Sequence, residues 1–351
     1  MSYITKPKVH HPSLQRNAVG LTRRDYEGTL STLCAGCGHD SITAAFIQAF
    51  WELDIEPYKV AKLSGIGCSS KTPAYFLKEA HGFNSVHGRM PSVASGAGAA
   101  NRDLVMVGVS GDGDSLSIGL GQLCHCIRRN LNLLYVLENN GVYGLTKGQF
   151  SASADPGSTS KKGDVNSMEA IDSVSLALTL GATFVARSFS GDKAQLVPLI
   201  KAGLMHKGFA FIDVISPCVT FNDHEGSTKS YAYTREHQLE VVQADFTMPR
   251  AEITAEYAAD TAHRVQMHDG SFVTLRKVAD DYDPTDRDRA YKYIRERHDA
   301  GETATGLLYI STDAVEMMDQ QDSVLEPLYN QPYDVLCPGS AELEKLQQRF
   351  R

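Results

Sequence analysis

The stretch from Val105 to Gln149 constrains this chain more than any other. Val105–Val109 and Leu131–Leu137 are near-continuous apolar runs, the mark of strands buried on both faces of a parallel sheet. Between them Gly111–Asp112–Gly113–Asp114–Ser115 opens an amphipathic helix. The pattern is one βαβ unit with polar groups at the carboxyl ends of both strands, where open α/β sheets bind ligands.

Those polar groups suit a metal and a diphosphate. Gly111 and Gly113 carry no side chain, so the backbone can approach a phosphate closely. The helix that follows aims its first N–H groups at the same anion. A carboxylate in such a turn, Asp112, makes sense when a hard cation lies between it and the phosphates. Mg²⁺ takes one or two carboxylates together with phosphate oxygens. Asn140, 28 positions after Asp112, brings an amide oxygen, and the backbone carbonyl of Val142 brings another donor. The same residues read more plainly as a glycine turn and an Asn-Gly turn, but the separation of helix plus strand between them favours the metal site. That separation, with the NNGVYG turn, resembles the thiamine-diphosphate motif.

Alternating strands and helices extend on both sides. Ser41–Leu53 has helical periodicity, Val60–Ser64 is a short strand, and Ser92–Ala100 is a helix of small residues. Met168–Leu180, Thr183–Arg187, Gln195–Met205 and Phe209–Ile215 continue as helix, strand, helix, strand. The expected fold is therefore α/β, a doubly wound and mostly parallel sheet, with a C-terminal appendage. Three segments are expected: an N-terminal arm over 1–30, a ligand-binding domain over 31–245, and a charged C-terminal extension over 246–351. A net charge of −8 argues against a nucleic-acid surface, and no apolar run has membrane-spanning length. The N-terminus lacks the layout of an export signal, so a cytoplasmic, reducing setting is expected for the seven cysteines.

Cys34 and Cys37 form a CxxC at a helix N-terminus, where thiolates are favoured. Cys68 and Cys218 each follow a predicted strand. Strand ends of a parallel sheet share one edge, so these four thiols can meet. A Cys₄ set suits zinc and a 4Fe–4S cluster equally well. Cys124 and Cys126, in the helix after Asp112, read as packing residues, and Cys337 as chemically idle.

CAGCGHD, SGIGCSSK, HGRMP, GDGDSLSIG, NNGVYGLTKGQFS and SPC occur in that order between about 30 and 225. Together they resemble the β subunit of the 2-oxoacid:ferredoxin oxidoreductases, most closely the 2-oxoglutarate:ferredoxin type. The resemblance implies thiamine diphosphate, Mg²⁺, one 4Fe–4S cluster, and CoA as co-substrate. It implies oxidative decarboxylation of a 2-oxoacid to an acyl-CoA, or the reverse, with electrons exchanged one at a time with ferredoxin. By motif, Cys34, Cys37, Cys68 and Cys218 would be cluster ligands, and Asp112, Asn140 and Val142 the Mg²⁺ ligands. Ile66, Gly67, Cys68, Ser69, His87, Gly113, Asp114, Gly144 and Leu145 would lie at the cofactor. The carboxylate that activates the cofactor's aminopyrimidine comes from a separate domain in this superfamily, so an α subunit is expected, with two copies of each chain. Lys71 and Lys147 sit beside the cofactor turns and are candidate partners for the substrate's carboxylates. The compact two-subunit style favours 2-oxoglutarate over pyruvate or a broad range of 2-oxoacids. Two rivals remain: another thiamine enzyme with no use for four cysteines, and a non-catalytic, zinc-stabilised thiamine-diphosphate-binding subunit.

Overall fold

A computed structural model describes residues 12–242, 244, 262–266, 272–276 and 282–350. The chain builds α1 (Gly38–Glu52), β1 (Val60–Ser64), β2 (His81–Asn84), α2 (Met90–Ala100), β3 (Val105–Gly111), α3 (Leu120–Arg128) and β4 (Leu133–Asn139). A small hairpin, β5 (Val142–Tyr143) and β6 (Gln149–Phe150), follows. Then come α4 (Ser173–Thr179), β7 (Phe184–Phe189), α5 (Lys193–Met205), β8 (Phe209–Ile215), α6 (Tyr231–His237) and β9 (Gln238–Val242). A separate antiparallel pair, β10 (Ala262–Gln266) with β11 (Phe272–Arg276), precedes α7 (Arg287–Asp299) and β12 (Thr303–Ile310).

One eight-stranded sheet carries the fold, in the order β2-β1-β3-β4-β8-β7-β12-β9. The first six of these strands are mutually parallel; β12 runs antiparallel to β7 and parallel to β9. Alternation within the strands divides the core in two. Leu133, Tyr135 and Leu137 of β4 pack toward α2, α3, α4 and α7. Leu134 and Val136 of the same strand pack on the face covered by α1 and α5. Both sides of β4 are buried, which is why its sequence reads as a continuous apolar run.

The order of strands also fixes where a ligand can sit. From β1 the chain steps outward to β2; from β3 it steps the other way to β4. The carboxyl ends of β1 and β3 therefore flank a topological switch point, the preferred crevice of open α/β sheets. The turns that open there are Gly65–Ser69 and Asp112–Ser115.

Three details differ from the sequence reading. The helix after Asp112 starts as a wide π turn over Gly113–Ile118, closed by Gly119 N donating to Asp114 O at 2.8 Å, before α3 begins. The helix expected from Met168 begins only at Ser173, because Asp172 caps it by accepting from Ser175 N at 3.1 Å. The sheet also crosses the boundary drawn near 245: β12 is one of its strands, and α7 buries Ala290 and Ile294 in the core. Residues 1–11 of the expected arm, and most of 243–281, lie outside the described residues. The rest of the arm is docked, with Tyr26 fully buried and its hydroxyl accepting from Asn17 Nδ2 at 2.8 Å.

Candidate active site

Asp114 binds the switch-point turns together. Its Oδ1 accepts from Gly88 N at 2.9 Å and Ile66 N at 3.3 Å, and lies 2.7 Å from His87 Nδ1. Its Oδ2 accepts from Ser110 Oγ at 2.7 Å. Gly65 makes this approach possible, since a Cβ there would stand 1.8 Å from Asp114 Oδ2. Both oxygens of Asp114 are thus engaged by the turns after β1, β2 and β3.

Asp112 is equally buried but differently held. Ser151 Oγ donates to its Oδ2, and Ser153 Oγ donates to the same atom at 2.6 Å. Its Oδ1 has only a long 3.5 Å approach from Asn140 N. Burial pushes the Asp112 carboxyl above the usual carboxylate range, against the pull of the two serine hydroxyls. Asn140 Oδ1 accepts from Val142 N at 3.1 Å, and Asn140 O accepts from Asn222 Nδ2 at 2.7 Å. The tip of β4 is fixed in this way.

One cavity of about 50 Å³ gathers these groups. Asp112, Asn140 and Val142 line it, with Ile66, Gly67, Cys68, Ser69, His87, Gly113, Asp114, Gly144 and Leu145. His39, Glu138, Tyr143 and Thr146 line it too, and the motifs did not single them out for a role. Glu138 is the carboxylate at the end of the apolar β4 run, the one signal that marked it. It is fully buried, and Thr72 Oγ1 lies 3.0 Å from each of its oxygens. Burial holds its pKa well above the usual range, and the same burial pulls His39 down to about 4. His39 Nδ1 stands 3.4 Å from Glu138 Oε2. His39 Nδ1 sits closer to Ser216 Oγ, at 2.7 Å.

The segments that bear the four candidate thiols meet beside this cavity. Cys37 caps α1, and Gly38 N donates to Pro217 O at 3.4 Å, tying the CxxC to the turn that bears Cys218. Thr220 Oγ1 reaches Cys34 Sγ at 3.3 Å. Gly144 lies against two of the thiols: a Cβ there would sit 3.5 Å from Cys68 Sγ and 3.6 Å from Cys218 Sγ. Burial raises the thiol of Cys37 to about 12 and also raises Cys68 and Cys218. Among the described residues, no three His, Cys, Asp or Glu side chains are arranged to hold a single metal ion. Cys126 is buried in the core with α3, Cys124 is on the same helix, and Cys337 is exposed.

The two candidate lysines stand outside the cavity wall. Lys71 is half-buried in the turn that begins at Cys68, its N donating to Cys68 O at 3.1 Å. Lys147 is exposed, in a left-handed conformation with φ +84°.

Residues 65–214 match the family model described as thiamine pyrophosphate enzyme, C-terminal TPP binding domain. The 2-oxoacid:ferredoxin oxidoreductase subunit beta of Saccharolobus solfataricus is 43% identical over 210 residues, 59% of this chain and 68% of that one. The 2-oxoglutarate oxidoreductase subunit KorB of Mycobacterium tuberculosis is 40% identical over 220 residues, 60% of this chain and 58% of that one. Among solved structures, a 2-oxoglutarate:ferredoxin oxidoreductase from Magnetococcus marinus, with 2-oxoglutarate, coenzyme A and succinyl-CoA bound, matches with a TM-score of 0.71 at 30% identity. That match covers 91% of this chain and 94% of the other. No helix among the described residues is long and apolar enough to cross a membrane.

Proposed function

This chain belongs to the β subunits of the 2-oxoacid:ferredoxin oxidoreductases, and on that premise we propose how its residues divide the work. Thiamine diphosphate binds with its diphosphate at the switch-point turns. Mg²⁺ bridges it to Asp112, Asn140 and the carbonyl of Val142. One 4Fe–4S cluster is held by Cys34, Cys37, Cys68 and Cys218. The enzyme converts 2-oxoglutarate and CoA to succinyl-CoA and CO₂, with ferredoxin as electron acceptor. The observation that carries this reading is the meeting of a preformed diphosphate crevice and four thiols at one edge of the sheet, with Cys68 in the wall of both.

The donor set fits the groups assigned to it. Asp112 is a buried carboxylate with one oxygen fixed and the other held only by a long contact, as a hard cation would require. Two of the thiols, Cys68 and Cys218, flank Gly144, where a Cβ would stand in van der Waals contact with both. A cluster binds its four cysteines through four separate irons. Its ligands therefore need not converge as closely as those of a single ion.

Thiamine diphosphate supplies an electron sink for loss of CO₂, and the cluster passes electrons singly. This chain's residues do the rest. Asp114 holds the three turns in register, and Gly65 lets it reach them. Tyr143 OH donates to Gly113 O at 3.2 Å and so fixes the turn that faces the diphosphate. Glu138 and His39, both buried, line the same cavity. The cavity is far smaller than the several hundred Å³ typical of a complete small-molecule site. The α subunit supplies the remaining wall, and the activating carboxylate with it. The complex works in the cytoplasm, in keeping with seven cysteines that form no disulfide.

The substrate assignment leans on the relatives named for 2-oxoglutarate. Lys147, exposed at the cavity's rim side, is the cation for the distal carboxylate; Lys71, beside Cys68, serves the 2-oxoacid end. The test is a survey of the αβ complex with 2-oxoglutarate, pyruvate, 2-oxobutyrate and branched-chain 2-oxoacids. 2-Oxoglutarate should have the highest kcat/KM. Lys147→Ala should raise KM for it by roughly ten- to a hundredfold, the worth of one charged hydrogen bond, and leave pyruvate nearly unchanged. Higher kcat/KM with pyruvate would move the chain to the pyruvate or broad-range enzymes.

A further inference from the structure

Close polar contacts run without a break behind Asp112. Ser151 Oγ and Ser153 Oγ lie 3.1 Å apart, and Ser151 Oγ donates to Asp112 Oδ2. Ser153 Oγ stands 2.6 Å from Asp112 Oδ2 and 2.8 Å from Asn139 Oδ1, and its one proton serves either of these two acceptors. Asn139 Nδ2 donates to Asp213 Oδ1 at 3.1 Å. Asp213 Oδ2 accepts from Arg187 Nε at 2.8 Å and from Ser173 Oγ at 2.8 Å. Arg187 Nη2 pairs with Asp172, the cap of α4. Strand alternation explains the route: Asn139, Arg187 and Asp213 all point to the α4 side of the sheet, where a cavity of about 420 Å³ exposes the chain's far end. Ser153 is thus seated between Asp112 and an amide that is itself held by a permanent ion pair two strands away.

We propose that Ser151 and Ser153 are positioning residues for the metal-binding carboxylate, and that the Asn139–Asp213–Arg187 chain sets where Ser153 stands. The proposal rests on the reading of Asp112 as a Mg²⁺ ligand. Mg²⁺ demands near-ideal octahedral geometry, so a carboxylate free to rotate is a poor ligand for it. Two hydroxyls on Oδ2 stop that rotation and leave Oδ1 as the free donor. Outer partners of this kind typically govern metal affinity by one to two orders of magnitude. A merely structural role for the serines, satisfying a buried carboxylate, would change melting temperature and leave the metal requirement alone.

The experiment titrates Mg²⁺ into the metal-free αβ complex at saturating thiamine diphosphate and follows cofactor binding by calorimetry. In Ser151→Ala/Ser153→Ala the half-saturating Mg²⁺ concentration should rise about ten- to a hundredfold. Cofactor affinity at saturating Mg²⁺ should stay near the parent's, and Ser153→Thr, which keeps the hydroxyl, should recover much of the loss in Ser153→Ala. Arg187→Lys keeps the charge but not the planar fork, and should raise the Mg²⁺ requirement by a smaller factor. Asp112→Asn separates the two levels. Loss of the Mg²⁺ requirement in Asp112→Asn, together with a parental requirement in both serine variants, overturns the positioning role alone. A parental Mg²⁺ requirement in Asp112→Asn overturns the metal assignment, and the positioning role with it. Should the double variant fail to assemble, Ser153→Ala against Ser153→Thr decides the matter by the same titration.

Discussion

Two buried carboxylate regions share the carboxyl edge of the sheet, a few side chains apart, and they are built on opposite principles. On the α4 side Asp172 and Asp213 face Arg187, a permanent cation that is only 12% exposed. Burial would push Asp172 up, but the guanidinium and Ser175 outweigh it and hold the carboxyl at about 2. At the crevice Asp112 meets only neutral donors, Ser151, Ser153 and Asn140 N, and its carboxyl is pushed upward. One region carries its own countercharge. The other is left short of one by the chain itself, as a site for an added cation must be. The thiols follow the second pattern: Cys37, Cys68 and Cys218 are all held above their ordinary range by burial. Lys62 too lacks a countercharge, and burial pulls its ammonium down to about 8. Its ammonium is buried and donates to Pro73 O, Phe76 O and Leu77 O at 2.6, 2.6 and 2.8 Å, bracing the segment just after Cys68 and Ser69.

The largest effect should come from removing the permanent cation. Arg187→Met leaves the buried Asp213 and the half-buried Asp172 without their cation and should lower stability by about 3–5 kcal/mol, read from denaturant unfolding of the αβ complex. A loss under about 1 kcal/mol, the scale of an exposed pair, would mean that the two regions do not differ as described.

Lys62→Met should follow, at about 1–3 kcal/mol, because carbonyls that accepted from the ammonium lose their donor. The loss should appear as earlier proteolysis near 69–77 as well as a lower melting temperature. Equal protection of that segment in both proteins would sever Lys62 from the cofactor turns.

Asp112→Asn should behave in the opposite sense to Arg187→Met. Without Mg²⁺ its melting temperature should match or exceed the parent's, since a neutral amide replaces a buried carboxylate with no countercharge. The stabilisation conferred by Mg²⁺ with thiamine diphosphate should disappear. A strongly destabilised metal-free variant would show that Asp112 is a structural group like Asp114.

The smallest effect concerns acid. The folded pKa of Asp172, about 2, lies below its unfolded value near 3.9. The unfolded chain then binds more protons between those values. The stability contributed by Asp172 is full above about pH 4 and is lost as pH falls toward 2. Acid unfolding of the parent should steepen in that window, and Arg187→Met should blunt it. An identical acid profile in both proteins would contradict the pairing.

Much of this was legible in the residues, for physical reasons. β1 and β8 fall at the bounds read from their sequence, because strands buried on both faces are mostly apolar, with Lys62, Ser64 and Asp213 the exceptions. The residues proposed for cofactor and magnesium were read from glycine-rich polar turns, a pattern that packing alone does not call for, and the fold lines one cavity with them. The network behind Asp112 was not legible. Ser153, Asn139, Arg187 and Asp213 are spread over four segments and meet only because β4, β8 and β7 are neighbours in the sheet. β12 was missed for the opposite reason: TATGLLYI follows a long charged stretch, and nothing local says that it pairs with β7. Glu138 and His39 were passed over because single polar residues beside a motif carry no periodicity.

The central proposal, that four thiols are held for an iron–sulfur cluster beside a thiamine crevice, is tested most directly by counting iron and acid-labile sulfide in the αβ complex purified without air. About four irons per β chain are predicted, with a loss of most of them in Cys218→Ala and none in Cys124→Ala. Stoichiometric zinc in place of iron, or equal iron in the two variants, would contradict it.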